Sequence, residues 1–89
     1  MSLPFTREQA HWIGTRVGID FDTVDIDQFR IGLEVELEHG LHDPETNVTN
    51  DDLSLTAKIA WAHLKEIPDY YTRLVKMEFE AKRTEEARL

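Results

Sequence analysis

Four stretches of this 89-residue chain repeat apolar residues at the 3.6-residue spacing of an α-helix, and none alternates apolar and polar residues as a half-buried strand does. Glycine (4) and proline (3) are sparse, and Gly18, Gly40, Pro44 and Pro68 fall between those stretches. The pattern predicts an all-α protein, a small bundle of about four helices. It is expected as a single helical domain over residues 1–81 with a charged helical tail over 82–89. A chain this short buries only a modest share of its surface, so self-association or a bound ion would add stability.

Local signals set the expected boundaries. Thr6-Arg7-Glu8-Gln9 has the capping-box form, in which Thr6 and Gln9 satisfy early backbone donors reciprocally, so helix 1 is expected from Thr6 to near Gly18. An acidic link over residues 20–24 leads to helix 2, beginning near Asp25 and ending near His39, with Gly40 placed to take a left-handed stop. Residues 41–49 are the longest non-periodic stretch, and Thr49 or Asn50 can cap helix 3, which reaches about Glu66. Pro68 suits the first turn of helix 4, which continues to about Glu86.

Composition excludes several classes of function. With 18 acidic residues against 10 Lys and Arg, the formal charge is −8. A nucleic-acid groove or an anionic membrane surface needs clustered cations, so neither partner is expected. The absence of cysteine removes disulfides, thiolate zinc sites, iron–sulfur clusters and thiol nucleophiles. No apolar run approaches the roughly 18 residues of a membrane span, and the chain start lacks the form of a signal peptide, so a cytoplasmic location is expected. There is no glycine-rich phosphate loop and no nucleophile elbow, and no organic cofactor is expected. Asp43-Pro44-Glu45-Thr46-Asn47 begins like a calcium loop, but Val48 stands where glycine is needed and Ser54 where the closing Glu belongs, so turn chemistry accounts for it. Asn47-Val48-Thr49 matches a glycosylation sequon without a secretory context.

Helical wheels, at about 100° per residue, single out a few polar residues. On helix 2, Asp27, Arg30, Glu34 and Glu38 form the wet face, while Gly32, Glu36 and His39 lie between the apolar flanks Ile31/Val35 and Phe29/Leu33/Leu37. Gly32 costs a helix on the order of 1 kcal/mol relative to Ala, so its place in that arc signals a close neighbour. On helix 3, His63 and Thr56 fall among Leu53, Leu55, Ala57, Ile59, Ala60 and Leu64. On helix 4, Glu78 falls near the centre of an arc containing Tyr70, Tyr71, Leu74, Val75, Met77, Phe79 and Ala81. His11, by contrast, falls on the outer side of helix 1 beside Glu8. Trp61, at the border of its wet strip, is the aromatic best placed for a partner contact.

Charges drawn into a core need partners, because an isolated buried charge costs several kcal/mol. Glu36 and His39 form Glu-x-x-His, the spacing that points a carboxylate and an imidazole at a shared metal in helical bundles. With His63 and Glu78 they make a four-ligand set suited to a divalent transition metal: Zn, Fe, Mn, Ni or Co. Two copies meeting across a twofold interface would supply a two-metal centre, with Tyr71 a nearby phenol, and a homo-oligomer is expected. The other reading places His39 and His63 in the last turns of their helices, where an imidazolium is favoured. Glu36–His63 and Glu78–His39 are then buried pairs in an interaction or structural module.

Three blocks carry a resemblance: Gly32-Leu33-Glu34-Val35-Glu36-Leu37-Glu38-His39-Gly40, His42-Asp43-Pro44-Glu45-Thr46-Asn47-Val48-Thr49-Asn50-Asp51-Asp52, and Lys58-Ile59-Ala60 with His63-Leu64-Lys65-Glu66-Ile67-Pro68-Asp69-Tyr70-Tyr71. In these the chain resembles a family of small microbial and phage-associated proteins known only as a domain of unknown function. The likeness runs from about Phe5 to Glu78 and includes Glu36, His39, His63 and Glu78. It implies no activity.

Overall fold

The structure, a computed structural model, describes residues 5–88, the last four by their backbone alone. Residues 1–4 and 89, on which part of the reading of the chain start and of the tail falls, lie outside the described residues. Four α-helices follow one another: α1 (Arg7–Val17), α2 (Ile26–Glu36), α3 (Leu53–Glu66) and α4 (Tyr70–Arg88), with a single 3-10 turn at Leu37–His39. No strand occurs among the described residues, and the fold is a small all-α one.

The helix starts follow side-chain chemistry. Thr6 and Gln9 form the expected capping box, and Gly18 closes α1 in the left-handed conformation at φ 104°. Asp25 caps α2 by accepting from the amides of Asp27 and Gln28. Asp52, rather than Thr49 or Asn50, caps α3 by accepting from the amide of Leu55. Asn50 and Asp51 instead take positive φ angles of 55° and 61°, turning the chain so that Asp52 reaches the cap position. Gly40 is not a left-handed stop either, since its φ is −108°. Its side chain is absent for a different reason: a Cβ there would collide with the Asp51 carboxylate, which accepts from the Leu41 amide and pins the loop.

The core lies between α1, α2 and α3. Ala10, Ile13, Ile19, Phe29, Leu33, Ala57, Ala60 and Leu64 are buried in it, and Tyr71 closes it from α4. Phe29 and Leu33 are wholly removed from water, each contributing about 1.5–3 kcal/mol of transfer free energy. Phe21, in the acidic link, sits 5.6 Å from Phe29 between ring centroids and lies over Gly14, where an added Cβ would meet the tip of the Phe21 ring.

Helix α4 rests on α2, and its first turn is fixed there by Gln28, whose Oε1 accepts from the Tyr71 amide at 3.1 Å. A side chain from another helix thus satisfies a donor left over at the α4 N-terminus. Further along α4 the expected apolar arc comes apart: Leu74 is half-buried, whereas Val75, Met77 and Phe79 are exposed. No helix among the described residues is long and apolar enough to cross a membrane.

Candidate functional site

The polar residues of the core meet where α2, α3 and α4 converge. Glu36, in the last residue of α2, is 3% exposed. Its Oε2 accepts a 2.6 Å hydrogen bond from the Tyr71 hydroxyl of α4 and lies 3.1 Å from Nδ1 of His63 on α3. The same nitrogen is 3.1 Å from the Tyr71 oxygen. Because the Tyr71 proton is committed to Glu36, His63 Nδ1 is the donor toward the same carboxylate oxygen. The imidazole is held flat on Tyr70, with ring centroids 4.3 Å apart and planes 3° apart. Tyr70 and Tyr71 in turn meet edge to face at 5.0 Å.

Backbone placement explains the fit. Gly32 lies one turn before Glu36 on α2, and a Cβ there would stand 2.5 Å from a Tyr71 ring carbon and 3.0 Å from the Cβ of Ala60. The missing side chain is the slot into which the Tyr71 ring inserts, and that insertion delivers its hydroxyl to Glu36. Burial, reinforced by the hydrogen bond to Glu36 and by its charge, pushes the Tyr71 hydroxyl well above the ordinary tyrosine value, so it stays a donor.

The metal site expected from Glu36, His39, His63 and Glu78 is not formed. Among the described residues no group of three or more His, Asp or Glu side chains is placed to hold a metal ion. His39 falls in the 3-10 turn that ends α2, its side chain 54% exposed and its Nε2 3.7 Å from Glu36 Oε1. Its backbone carbonyl accepts from the amides of Val48 and Thr49, which ties this turn to the surface loop. Glu78 is half-buried and borders the same groove as the other three, but it joins no ion pair among the described residues. Glu36 and His63 are brought together, as a polar network with Tyr71.

Tyr71 is the residue that the sequence reading underrated. Placing it as a phenol beside Glu78 missed its partner, Glu36. The available signal was Gly32, a costly glycine in the middle of a buried helix face, combined with the need of a buried tyrosine for a hydrogen-bond partner. Trp61 is half-buried with Lys65 Nζ 4.2 Å above its ring, while Trp12, 61% exposed and flanked by Arg16, is the more open indole.

Fold and site define a small four-helix protein in which α2, α3 and α4 are joined at one end by a buried carboxylate and phenol and a half-buried imidazole. The chain belongs to the family described as protein of unknown function (DUF5661), whose model matches residues 10–80. The matched span holds Gly32, Glu36, His63 and Tyr71. No curated protein and no solved structure matches the chain.

Proposed function

We propose that this protein is a non-catalytic interaction or structural module in which Glu36, Tyr71 and His63 form a buried polar network that fixes how α3 and α4 seat on α2. One observation carries the reading: the Tyr71 hydroxyl and His63 Nδ1 both converge on Glu36 Oε2, from two different helices. Such a network specifies geometry more than it adds stability, because desolvating a carboxylate offsets much of what its hydrogen bonds return. The interaction surface is the outer part of α4, where Val75 and Phe79 stand exposed, and it supports self-association. A cytoplasmic location is part of the same proposal, supported by the net charge of −8 and by the absence of any cysteine to cross-link.

A denaturation series on Glu36→Gln, Tyr71→Phe and the double variant tests the network. The reading expects a coupling between the two positions of about 0.5–3 kcal/mol. Additive losses would show that the two side chains act separately and would sink it.

A further inference from the structure

Two surfaces of the chain match each other. The first is the outer part of α4. From Phe79 to Thr84 every side chain is exposed, on all sides of the helix, so α4 stands clear of the body after Glu78. Val75, Phe79 and Arg83 follow one another at four-residue steps along one face, with the Arg83 guanidinium 6.0 Å above the Phe79 ring. A helical segment without tertiary packing is marginal in water, so this arm needs a surface to lie on. The second is a groove of about 360 Å³ between α1 and the start of α3, lined by Phe5, Glu8, Gln9, Trp12, Ile13 and Leu53. Trp12 and Leu53 are exposed in it. Glu8 is the charged side chain of that lining, and the exposed Asp52 adjoins Leu53 in the chain. Arg7 and Arg16 line the neighbouring groove instead, where Arg7 pairs with Asp27 and Arg16 lies over the Trp12 indole.

Charge divides along the chain in the same sense. Five of the 10 Lys and Arg residues fall in residues 70–89 with four of the 18 acids, so the net negative charge resides in the body. An arm that carries an aromatic anchor and then a cation is complementary to an apolar groove edged by Glu8 on an acidic body. The arm does not reach the groove of its own chain, because α4 is one continuous helix resting on α2, and Phe79 lies past the body. We propose that the arm of one copy docks in the α1–α3 groove of a second copy, and that the second arm docks in return, closing a twofold dimer. Phe79 enters between Trp12 and Leu53 of the other copy, and Arg83 meets its Glu8. Reciprocity makes the contact twice, which brings two short arms toward the roughly 1,200 Å² of a stable interface. The proposal rests on the reading of outer α4 as the self-association surface and adds the surface that receives it.

The test is sedimentation equilibrium of the full chain at low ionic strength, with the folding of each variant checked by its thermal melt. The wild type is expected as a dimer that Trp12→Ser or Phe79→Glu converts to monomer. Glu8→Lys and Arg83→Glu each set like charges against one another at both contacts of a homodimer, and each is expected to weaken association about tenfold. An equimolar mixture of these two variants is expected to recover the wild-type mass, because in the mixed dimer both contacts again pair opposite charges. A mixture no more associated than its components would overturn the reciprocal docking. Should Phe79→Glu dissociate the chain while Trp12→Ser and Glu8→Lys leave its mass unchanged, the groove is overturned and α4 stands as the association surface. A wild type that stays monomeric at every concentration would overturn the docking and the α4 reading together. Failure of the network reading shows elsewhere, as a lack of coupling between Glu36→Gln and Tyr71→Phe in denaturation.

Discussion

The Tyr71 hydroxyl reaches Glu36 Oε2 across 35 positions of sequence, and the 2.6 Å bond between them is the polar link that ties α4 to the end of α2. Both groups are out of water, so each is the other's substitute for solvent. His63 supplies the second donor to the same oxygen. The carboxylate is thus held by two donors on two helices, and neither donor can be removed without leaving it short.

Tyr71→Phe keeps the ring in the Gly32 slot and deletes only the hydroxyl. The buried Glu36 then loses its shortest hydrogen bond, and the expected loss is about 1–3 kcal/mol in urea denaturation. Replacing all three polar groups together, Glu36→Leu with Tyr71→Phe and His63→Leu, is expected to recover most of that loss, since a buried charge and its partners exchange well for apolar groups. A triple variant much less stable than Tyr71→Phe would contradict this account.

Gly32→Ala tests the slot itself. Alanine improves helix propensity by about 1 kcal/mol at an interior position. Here its Cβ would press on the Tyr71 ring at 2.5 Å and on Ala60 at 3.0 Å, and the ring cannot retreat without breaking its bond to Glu36. Overpacking of this kind costs about 1–3 kcal/mol, so a net loss is expected in thermal melts. In a Tyr71→Leu background the same substitution is expected to become neutral or stabilising.

Gly32 also marks how far the sequence could be read. A glycine inside a periodic apolar face implied a close neighbour, and Glu36 in the same arc implied a buried charge; both hold. His39 misled because a wheel assumes that the helix continues. The α-helix ends at Glu36, and the following 3-10 turn sits at the surface, tied to the loop through its own backbone, so His39 is exposed. Val75 and Phe79 misled for a related reason: periodicity gives the direction of a side chain but not the distance to whatever faces it. Among the described residues of α4 the covered side chains are Tyr70, Tyr71, Leu74 and Glu78, all in its first half, which Gln28 fixes at the N-terminus. The partner of Glu36 lay 35 residues away, and pairing across helices is set by packing, which a single chain pattern does not encode.

High pH should expose the state of Tyr71. Its hydroxyl is held above the ordinary value near 10 by burial first and by Glu36 second. The folded chain therefore keeps a proton that the unfolded chain loses as pH rises above about 10, and there the unfolded state binds fewer protons. Stability from this group is intact below pH 10 and declines above it. The measurement is urea midpoint against pH: the wild-type slope between about pH 10 and 11 is expected to be steeper than that of Tyr71→Phe. Equal slopes would mean that the phenol ionises as freely folded as unfolded.

The α3 start offers a local check on the turn that precedes it. Asp52 accepts from the Leu55 amide at 2.9 Å, and Asp52→Ala is expected to cost about 1 kcal/mol. Asn50, at φ 55°, has no cap role, so Asn50→Gly is expected to change the melting point little. A larger loss at Asn50 than at Asp52 would return the cap to the position suggested by sequence alone.

Truncation after Ala81 addresses what the outer part of α4 is for. Lys82, Arg83 and Thr84 are exposed, and Arg83 lies 6.0 Å above the Phe79 ring, which is itself 61% exposed. Because those three side chains lie outside the core, removing residues 82–89 is expected to change the unfolding free energy of the body by no more than about 0.5 kcal/mol. The remaining turns of α4 lose their continuation, however, and an unsupported helical segment of this length is marginal in water. If α4 is the surface through which copies associate, sedimentation should report a lower mass for the truncated chain at the same concentration, and Phe79→Glu in the full chain should reproduce it. An unchanged mass in both variants, with the body still folded, would remove α4 as the interaction surface and leave the network as a purely structural device.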